Sequence, residues 1–244
     1  MQVEGPEGAP AVVFSSSLGT DLRLWSAQAE ALAPDHRVVR YDHRGHGGTP
    51  VGDGPFEVAD LARDVLELAD SLGLERFSFV GISLGGAVGQ WLGASAPERV
   101  ERLVLACTSA RFAGAGSYRE RAGLVRADGL EPLADASLGR WLGPEPDPEL
   151  RERLRAILLS TPREGYAACC EAISRWDFRS EVRRIAVPTL ALAGSADPST
   201  PPAELEAIAA AVPGARAVVL EGHHLVNVER PAEFTAAVRE HLAA

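Results

Sequence analysis

The sequence predicts an α/β protein with a mostly parallel β-sheet and helices on both faces of the sheet. Short apolar runs rich in Val, Leu and Phe alternate with longer amphipathic stretches along the 244 residues, which is typical of successive strand and crossover-helix units. Several of the runs are apolar at every position, as in strands whose two faces are both buried. Hydrophobic residues make up 46% of the chain, which is enough for one sizeable core. We therefore expect a single domain over residues 1–244.

Six apolar runs predict the core strands, and two amphipathic stripes predict helices that pack on them. From Val58 to Leu72 apolar residues recur at helical spacing, and Gly73 follows where a C-cap belongs. A similar stripe after Pro231 predicts that an amphipathic helix ends the chain. The strands are expected at residues 11–14, 37–41, 77–80, 103–106, 189–193 and 217–220.

The alternation of strand and helix stops between about residues 112 and 184. Arg, Glu, Leu and Ala dominate this segment, prolines interrupt it, and β-branched runs are missing from it. Such a segment is too poor in long apolar runs to form a sheet. We interpret residues 112–184 as a helical insertion that folds as a cap over the C-terminal edge of the strands.

Charge and cysteine content exclude several classes of function. Lys and Arg total 24 against 34 Asp and Glu, so the net charge of −10 repels nucleic acid and anionic membranes. A small anionic substrate stays possible, because one or two local arginines can set the potential of a pocket. Cys107, Cys169 and Cys170 fit neither a disulfide framework nor a zinc site. The first ten residues form no signal peptide, and no run approaches a membrane span, so we expect a soluble cytoplasmic protein.

The strongest chemical motif is Gly-Ile-Ser-Leu-Gly at residues 81–85, directly after a predicted strand and before a predicted helix. This is the context of a nucleophile elbow, in which a strained turn exposes a serine and needs small residues two positions before and after it. In a Gly-rich chain the motif alone could arise by chance, but the flanking strand and helix argue against chance. Ser83 is therefore the candidate nucleophile.

A serine nucleophile needs a base and an acid that orients the base. Asp197 lies in a loop just after the strand at 189–193, and His223 and His224 follow the last strand. We choose His224 as the base from its spacing to the closing helix, and His223 as a neighbour. The histidine pair lacks accompanying ligands at metal-binding spacing, so we expect neither a metal nor another cofactor. The remaining histidines, expected at the surface, are His36, His43, His46 and His241.

Acyl transfer also requires hydrogen-bond donors for the oxyanion. In this arrangement one donor is the backbone N–H of the residue after the nucleophile, here Leu84. The second should come from the loop after the first core strand, Ser-Ser-Ser-Leu-Gly-Thr at residues 15–20, which we call the oxyanion loop and in which Leu18 is the best candidate.

With these residues placed, the chain resembles the 3-oxoadipate enol-lactonases of the α/β-hydrolase superfamily. The resemblance rests on residues 14–25 (FSSSLGTDLRLW), 41–47 (YDHRGHG), 165–170 (GYAACC) and 224–229 (HLVNVE). Most other α/β-hydrolases carry His-Gly where this chain has Ser16 and Ser17. Two positions depart from the family, Ser16 where asparagine is usual and Val226 where serine is usual. Only ten residues precede the strand at 11–14, so the comparison with the family leads us to expect that the first strand of its N-terminal hairpin is missing or that the start of the chain is trimmed.

The resemblance implies the α/β-hydrolase fold, with the helical cap inserted after the sixth standard strand. It also implies hydrolysis of 3-oxoadipate enol-lactone in aromatic catabolism, with Ser83, His224 and Asp197 as the catalytic residues. The lactone's free carboxylate would then need a partner near the cap. Trp141 resembles a cap position that faces the pocket, and Arg140, Arg111 and Arg23 are the nearest cationic candidates, although a core tryptophan and solvated arginines are at least as ordinary interpretations.

Two other functions share the same motifs. A haloperoxidase-type esterase or perhydrolase would carry the same elbow and catalytic residues, and the serine-rich oxyanion loop argues against it. A triad-bearing small-molecule receptor would bind a ligand with negligible turnover. Neither nucleic acid nor a membrane is an expected partner of the chain.

Overall fold

The computed structural model describes residues 1–53 and 55–244. Within these residues seven strands form one sheet in the order β1-β3-β2-β4-β5-β6-β7. Neighbouring strands are parallel, apart from β1, which runs antiparallel to β3. The strands are β1 (Gln2–Glu4), β2 (Ala11–Ser15), β3 (Arg37–Arg40), β4 (Phe77–Ile82), β5 (Val100–Ala106), β6 (Thr189–Gly194) and β7 (Arg216–Leu220).

Helices cover the sheet and fill the long connection between β5 and β6. The helix predicted from the stripe beginning at Val58 is capped by reciprocal hydrogen bonds between Glu57 and Asp60 and is followed by Gly73 in a left-handed conformation. The helices are α1 (Ser26–Leu32), α2 (Val58–Ser71), α3 (Leu84–Ser95), α4 (Ala115–Asp128), α5 (Ala134–Leu142), α6 (Pro148–Ser160), α7 (Arg163–Arg175), α8 (Pro202–Ala211), α9 (Val226–Glu229) and α10 (Pro231–Ala243).

The predicted α/β fold class is confirmed, because each of the six apolar runs is a strand. The strands β2, β4 and β6 are buried at every residue, so both of their faces pack against helices and neither face needs polar residues. The edge strand β7 is largely exposed, and β5 begins three residues before its predicted start.

The strand β1 was not among the six predicted strands. Its three residues are exposed or half-buried and lie in a polar segment, so they carry no apolar run from which a strand could be predicted. The structure has one antiparallel strand at this edge, pairing Val3 with Val39, where the family resemblance implied a hairpin without its first strand.

The sheet topology collects the loops that carry the candidate catalytic residues. Because β2, β4, β6 and β7 run parallel, their carboxyl ends lie at the same edge of the sheet. Ser83 follows β4, Asp197 follows β6 and His224 follows β7. Residues far apart in sequence are thereby brought to one side of the core.

The helices α4 to α7 lie between β5 and β6, in the segment predicted to be a cap. Within this segment α4 packs against α7, and α5 packs against α6. Across the described ranges 1–53 and 55–244, none of the helices combines the length and the apolar character that a bilayer crossing requires.

Candidate active site

The turn between β4 and α3 holds Ser83 in a strained conformation. Its backbone has φ 58° and ψ −114°, a combination that a residue with a Cβ rarely adopts. The Ser83 N–H donates to the carbonyl of Ala106 on the neighbouring strand at 2.9 Å, which fixes the turn against the sheet. The strain is maintained by the surrounding structure and keeps the hydroxyl at the edge of the sheet.

The glycines of the elbow are required by close backbone contacts. A Cβ at Gly81 would overlap the carbonyl of Gly85, and a Cβ at Gly85 would overlap the carbonyl of Ser15. Both obstacles are backbone atoms, which cannot move aside as a flexible side chain can. The small-residue pattern is therefore a packing requirement of the turn.

Gly85→Ala is expected to lower the free energy of unfolding by about 3 kcal/mol, at the upper end of ordinary overpacking costs. The matched control is Gly139→Ala inside α5, where a new Cβ meets nothing within 4 Å. The control should raise the free energy of unfolding by roughly 0.5–1 kcal/mol, because alanine loses less backbone entropy than glycine in a helix. Urea denaturation of both variants measures the difference, and equal stability of the two would contradict the packing argument.

The structure brings the three predicted catalytic side chains together. His224 Nε2 lies 2.9 Å from Ser83 Oγ, and His224 Nδ1 lies 2.7 Å from Asp197 Oδ2. All three residues are buried, with relative exposures of 7% for Ser83, 4% for His224 and 3% for Asp197. With Nδ1–H donating to the carboxylate, Nε2 is free to accept the serine proton, which is the tautomer that a general base needs.

The carboxylate of Asp197 is held by four hydrogen bonds. Oδ1 accepts the backbone N–H groups of Ser199 and Thr200, and Oδ2 accepts the Thr200 hydroxyl at 2.7 Å as well as His224 Nδ1–H. Burial by itself raises the pKa of a carboxyl group, but the hydrogen bonds and the attraction of His224 outweigh it, and the pKa of Asp197 lies below its ordinary value. The group therefore stays ionised near neutral pH.

The neighbouring histidine points elsewhere. His223 Nδ1 lies 3.0 Å from Glu229 Oε1, and the His223 N–H donates to the same carboxylate. The structure thus distinguishes the two adjacent histidines that the sequence offered, with His224 at Ser83 and His223 at Glu229.

The two predicted oxyanion donors are backbone groups beside Ser83. Leu84 N–H directly follows the nucleophile, and Leu18 lines the same cavity as Ser83. Within residues 1–53 and 55–244, neither N–H donates a hydrogen bond to another group of the chain. Both donors are therefore available for an oxygen that develops negative charge.

A cavity of about 190 Å³ joins the catalytic residues to the cap. The cap contributes Arg140 and Trp141 from α5, as the sequence predicted, together with Tyr118 and Arg121 from α4 and Tyr166 from α7. The cap helices therefore form one wall of the cavity, and the ends of the strands form the other.

The C-terminus of α5 links this wall to the histidine loop. The carbonyl of Arg140 accepts His224 N–H at 3.4 Å, and the carbonyl of Trp141 accepts Leu225 N–H at 3.1 Å. These are carbonyls of the last helical turn, which lack partners within their own helix. The same two residues thus fix the loop that holds His224 and present their side chains to the cavity.

Arg121 lines the cavity but was not among the residues predicted from the sequence. The guanidinium of Arg121 packs over the Tyr118 ring, 4.9 Å from its centroid. Burial, together with the positive charge of Arg121, keeps the pKa of Arg140 below its usual value. A helical signal existed, because Tyr118, Arg121, Ala122 and Val125 share one face and the last two are buried.

The structure corrects two other arginine candidates. Arg23 donates to both carboxylate oxygens of Asp21 and is more than half exposed, and Arg111 is half exposed near Asp177. Neither arginine lines the catalytic cavity. The two that do, Arg121 and Arg140, have no carboxylate within 4 Å in the described part of the chain.

The expectation that the other histidines lie at the surface was wrong for three of them. His43, His46 and His241 have relative exposures of 2%, 0% and 5%. Loop position alone predicted exposure, but the loop that holds the first two is covered by the oxyanion loop and by the cap.

Known proteins are similar to this chain over nearly its whole length. The family model of the α/β-hydrolase fold matches residues 10–231. The chain is 39% identical to 3-oxoadipate enol-lactonase 2 of Acinetobacter baylyi, over 96% of this chain and 89% of that protein. The crystal structure of the enol-lactonase from Burkholderia xenovorans LB400 matches with a TM-score of 0.97 at 40% identity, over 100% of this chain and 95% of the other. A hydrolase from Pseudomonas aeruginosa PA01 matches with a TM-score of 0.95 at 44% identity, over 100% and 93%.

Proposed function

This chain belongs to the α/β-hydrolase fold family and, within it, to the group of the 3-oxoadipate enol-lactonases, and we propose that it hydrolyses 3-oxoadipate enol-lactone to 3-oxoadipate, a step of aromatic catabolism. It is a carboxylic ester hydrolase. One observation carries the proposal: Ser83 and His224 of the hydrogen-bonded serine–histidine–aspartate set line a small cavity together with two arginines, which pair with no carboxylate within residues 1–53 and 55–244. An enol-lactone with a carboxymethyl arm has one group for each part of this cavity.

In the proposed acylation step, Ser83 Oγ forms a bond to the lactone carbonyl carbon and His224 Nε2 takes the hydroxyl proton. The carbonyl oxygen becomes an oxyanion, which accepts hydrogen bonds from the N–H groups of Leu18 and Leu84. Asp197 stabilises the imidazolium that has formed. The starting geometry supports this step, since the oxygen and nitrogen that exchange the proton are 2.9 Å apart.

In the proposed ring opening, the bond between the carbonyl carbon and the enol oxygen breaks, and the enol oxygen takes the proton from His224. The enol stays tethered to the acyl chain and tautomerises to the ketone, which favours the forward reaction. Water then attacks the acyl-enzyme while His224 removes its proton, and the same proton returns to Ser83 Oγ as the acid leaves.

The size and charge of the cavity support a small anionic substrate. Its volume of about 190 Å³ is below the range of about 300–1,000 Å³ that drug-sized ligands occupy. Arg121 and Arg140 provide positive charge in a chain whose net charge is −10. Guanidinium groups bind carboxylates through paired hydrogen bonds, so we propose that these two side chains hold the carboxymethyl arm.

The direct test is the spectrophotometric disappearance of freshly generated enol-lactone with purified protein. We expect efficient hydrolysis of the lactone and slow hydrolysis of p-nitrophenyl acetate, which has no carboxylate. Efficient hydrolysis of the aryl ester with no consumption of the lactone would refute the proposed substrate. Peroxide-dependent halogenation in acetate would instead support a haloperoxidase-type enzyme.

Removing the cavity arginines should abolish the preference for a charged substrate. Arg121→Met and Arg140→Met are each expected to lower kcat/KM for the anionic lactone by about 10- to 100-fold, the usual range for one charge-assisted hydrogen-bonded pair. For the methyl ester of the same lactone, the change should stay within about threefold, because the ester presents no charge to the arginines.

The control for this prediction is Arg119→Met, an exposed arginine on the same helix as Arg121. It should leave both substrates unaffected. Equal losses for the lactone and its methyl ester in Arg121→Met would show that the arginine supports the fold of the cap rather than the carboxylate.

A further inference from the structure

Two buried histidines outside the catalytic set press against the oxyanion loop. They are His43 and His46, in the loop that follows β3, and their relative exposures are 2% and 0%. Burial lowers the pKa of both imidazoles to about 4, so each is neutral near pH 7 and has one ring nitrogen that donates and one that accepts.

The hydrogen bonds of His46 determine its tautomer. Its Nε2 lies 3.0 Å from the backbone nitrogen of Gly19, which is a donor. The Nε2 atom must therefore accept, and the ring proton is on Nδ1, 3.4 Å from the carbonyl of Arg44. His46 thus uses an unprotonated nitrogen to hold the N–H that follows Leu18.

His43 is held in the opposite tautomer. Its Nε2 lies 3.1 Å from the carbonyl oxygen of Ser16, which can only accept, and 3.3 Å from Ser15 Oγ. The proton is therefore on Nε2, and Nδ1 makes no hydrogen bond within the described ranges. One histidine accepts from the oxyanion loop and the other donates to it.

Both peptide groups next to Leu18 are fixed by hydrogen bonds, one to Thr20 and one to His46. The carbonyl of Ser17 accepts the N–H of Thr20 at 3.1 Å and its hydroxyl at 2.8 Å. In a trans peptide the N–H points opposite to the carbonyl, so Leu18 N–H is directed away from Thr20. The following peptide is fixed by the bond from Gly19 N–H to His46.

The loop is also tied to the elbow and to the cap. The Ser16 carbonyl accepts Gly85 N–H at 3.1 Å, which joins the segments that carry the two oxyanion donors. On the other side, a Cβ at Gly19 would lie 2.7 Å from Leu158 and 2.9 Å from Tyr166 of the cap. The oxyanion loop is therefore enclosed between the cap and the two histidines.

We propose that His46, assisted by His43, is a positioning residue of the oxyanion hole, which keeps Leu18 N–H directed at the oxygen that becomes charged when Ser83 attacks. This inference rests on the proposed serine mechanism, but it applies to any ester that the cavity accepts. The hydrogen bond from Gly19 N–H to His46 is already formed in the free protein, so the reaction needs no reorganisation energy to form it. Such preorganised donors act mainly on the transition state.

The kinetic test compares two variants of nearly equal shape. His46→Gln keeps an oxygen that can accept the Gly19 N–H, whereas His46→Met is unbranched and apolar. His46→Met should lower kcat for p-nitrophenyl acetate by about 10- to 100-fold and change KM by no more than about twofold. Misdirected N–H donors stabilise the transition state less and leave the binding of the substrate in its ground state unchanged. His46→Gln should retain kcat within about threefold of wild type. Equal kcat values for His46→Met and wild type would overturn the inference.

A second readout needs no turnover. Ethylboronic acid forms a bond between boron and Ser83 Oγ while the serine proton moves to His224, and one boronate oxygen then occupies the oxyanion position. We expect His46→Met to bind this acid about tenfold more weakly or worse, with the affinity for 3-oxoadipate unchanged. Unchanged boronate affinity in His46→Met, or absent boronate binding by the wild-type protein, would overturn the inference. A protein that binds the boronate as expected but does not consume the enol-lactone would refute the proposed substrate and leave the inference supported.

The tautomer gives a test in the unaltered protein, which holds even if His46→Met fails to fold. Imidazole ¹⁵N spectra, assigned by comparison with His46→Gln, should show His46 protonated at Nδ1 and unprotonated at Nε2 at pH 7. A proton on Nε2 would face the Gly19 N–H, donor against donor, and would overturn the inference.

Discussion

Ser83→Ala is expected to lower kcat for the enol-lactone by about six orders of magnitude, the loss seen when other serine triads lose their nucleophile. The hydroxyl is the atom that forms the acyl bond, and water cannot replace it at the strained position that the elbow provides. The fold should be unaffected, because the hydroxyl's hydrogen bond in this structure is to His224 and the neighbouring glycine contacts are unchanged. Affinity for 3-oxoadipate should stay within about threefold, since the arginines that would hold its carboxylate remain.

The control for Ser83→Ala is Ser71→Ala, an exposed serine at the end of α2 whose hydroxyl bonds to the carbonyl of Leu68. It should retain full activity. Negligible turnover in the wild-type protein, with equal ligand affinity in Ser83→Ala, would contradict the hydrolase mechanism and support a receptor. Stopped-flow measurement of acyl-enzyme formation and calorimetric titration with 3-oxoadipate distinguish the two cases.

The strands were predictable because burial on both faces leaves an uninterrupted apolar run. The strand β2, for example, has five buried residues in succession directly after Pro10, and its short length and the preceding proline favour a strand over a buried helix. The strand β1 has three residues that are exposed or half-buried. It forms by pairing with β3, and its own sequence has no apolar pattern from which a strand could be predicted. The family resemblance predicted from the motifs is also confirmed, since two 3-oxoadipate enol-lactonases of Acinetobacter baylyi are 39% and 37% identical to this chain over 96% of its length.

The elbow was predictable because backbone sterics impose their own residue pattern. A Cβ at Gly81 or Gly85 has no room, so the turn leaves a signature in the chain. The choice between His223 and His224 depended on spacing to the closing helix, and the structure gives its physical reason, since Glu229 holds the first histidine and Asp197 the second.

Side chains whose direction depends on tertiary packing were not predictable in the same way. Arg119, Arg121 and Arg126 all lie on α4, yet Arg121 reaches the cavity and Arg126 pairs with Glu164 and Glu171 on α7. The packing of α4 against α7 decides this, and it involves residues about forty positions apart. The burial of His46 was unpredictable for the same reason, because the oxyanion loop and the cap, two segments distant in sequence, cover it.

Asp197→Asn is expected to lower kcat by about four orders of magnitude, as the corresponding change does in other serine triads. The hydrogen bonds around the carboxylate give the reason. Oδ1 accepts two backbone N–H groups, from Ser199 and Thr200, so the asparagine carbonyl oxygen must take that position. Its NH₂ group then faces His224 Nδ1, which has to accept, and the ring proton moves to Nε2. An Nε2–H cannot take a proton from Ser83.

The asparagine variant therefore separates the position of the side chains from the tautomer of His224, which an alanine variant does not. Its volume and its two backbone contacts are those of the wild type, so thermal unfolding should shift little and 3-oxoadipate should bind as before. Asp128→Asn, an exposed residue at the end of α4, should keep full activity. A fall of less than tenfold in Asp197→Asn would mean that His224 keeps its proton on Nδ1 without the carboxylate. In that case the buried hydroxyl of Thr200, 3.5 Å from Nδ1, would be the group that orients the base, and Thr200→Val in the asparagine background would then remove the residual activity.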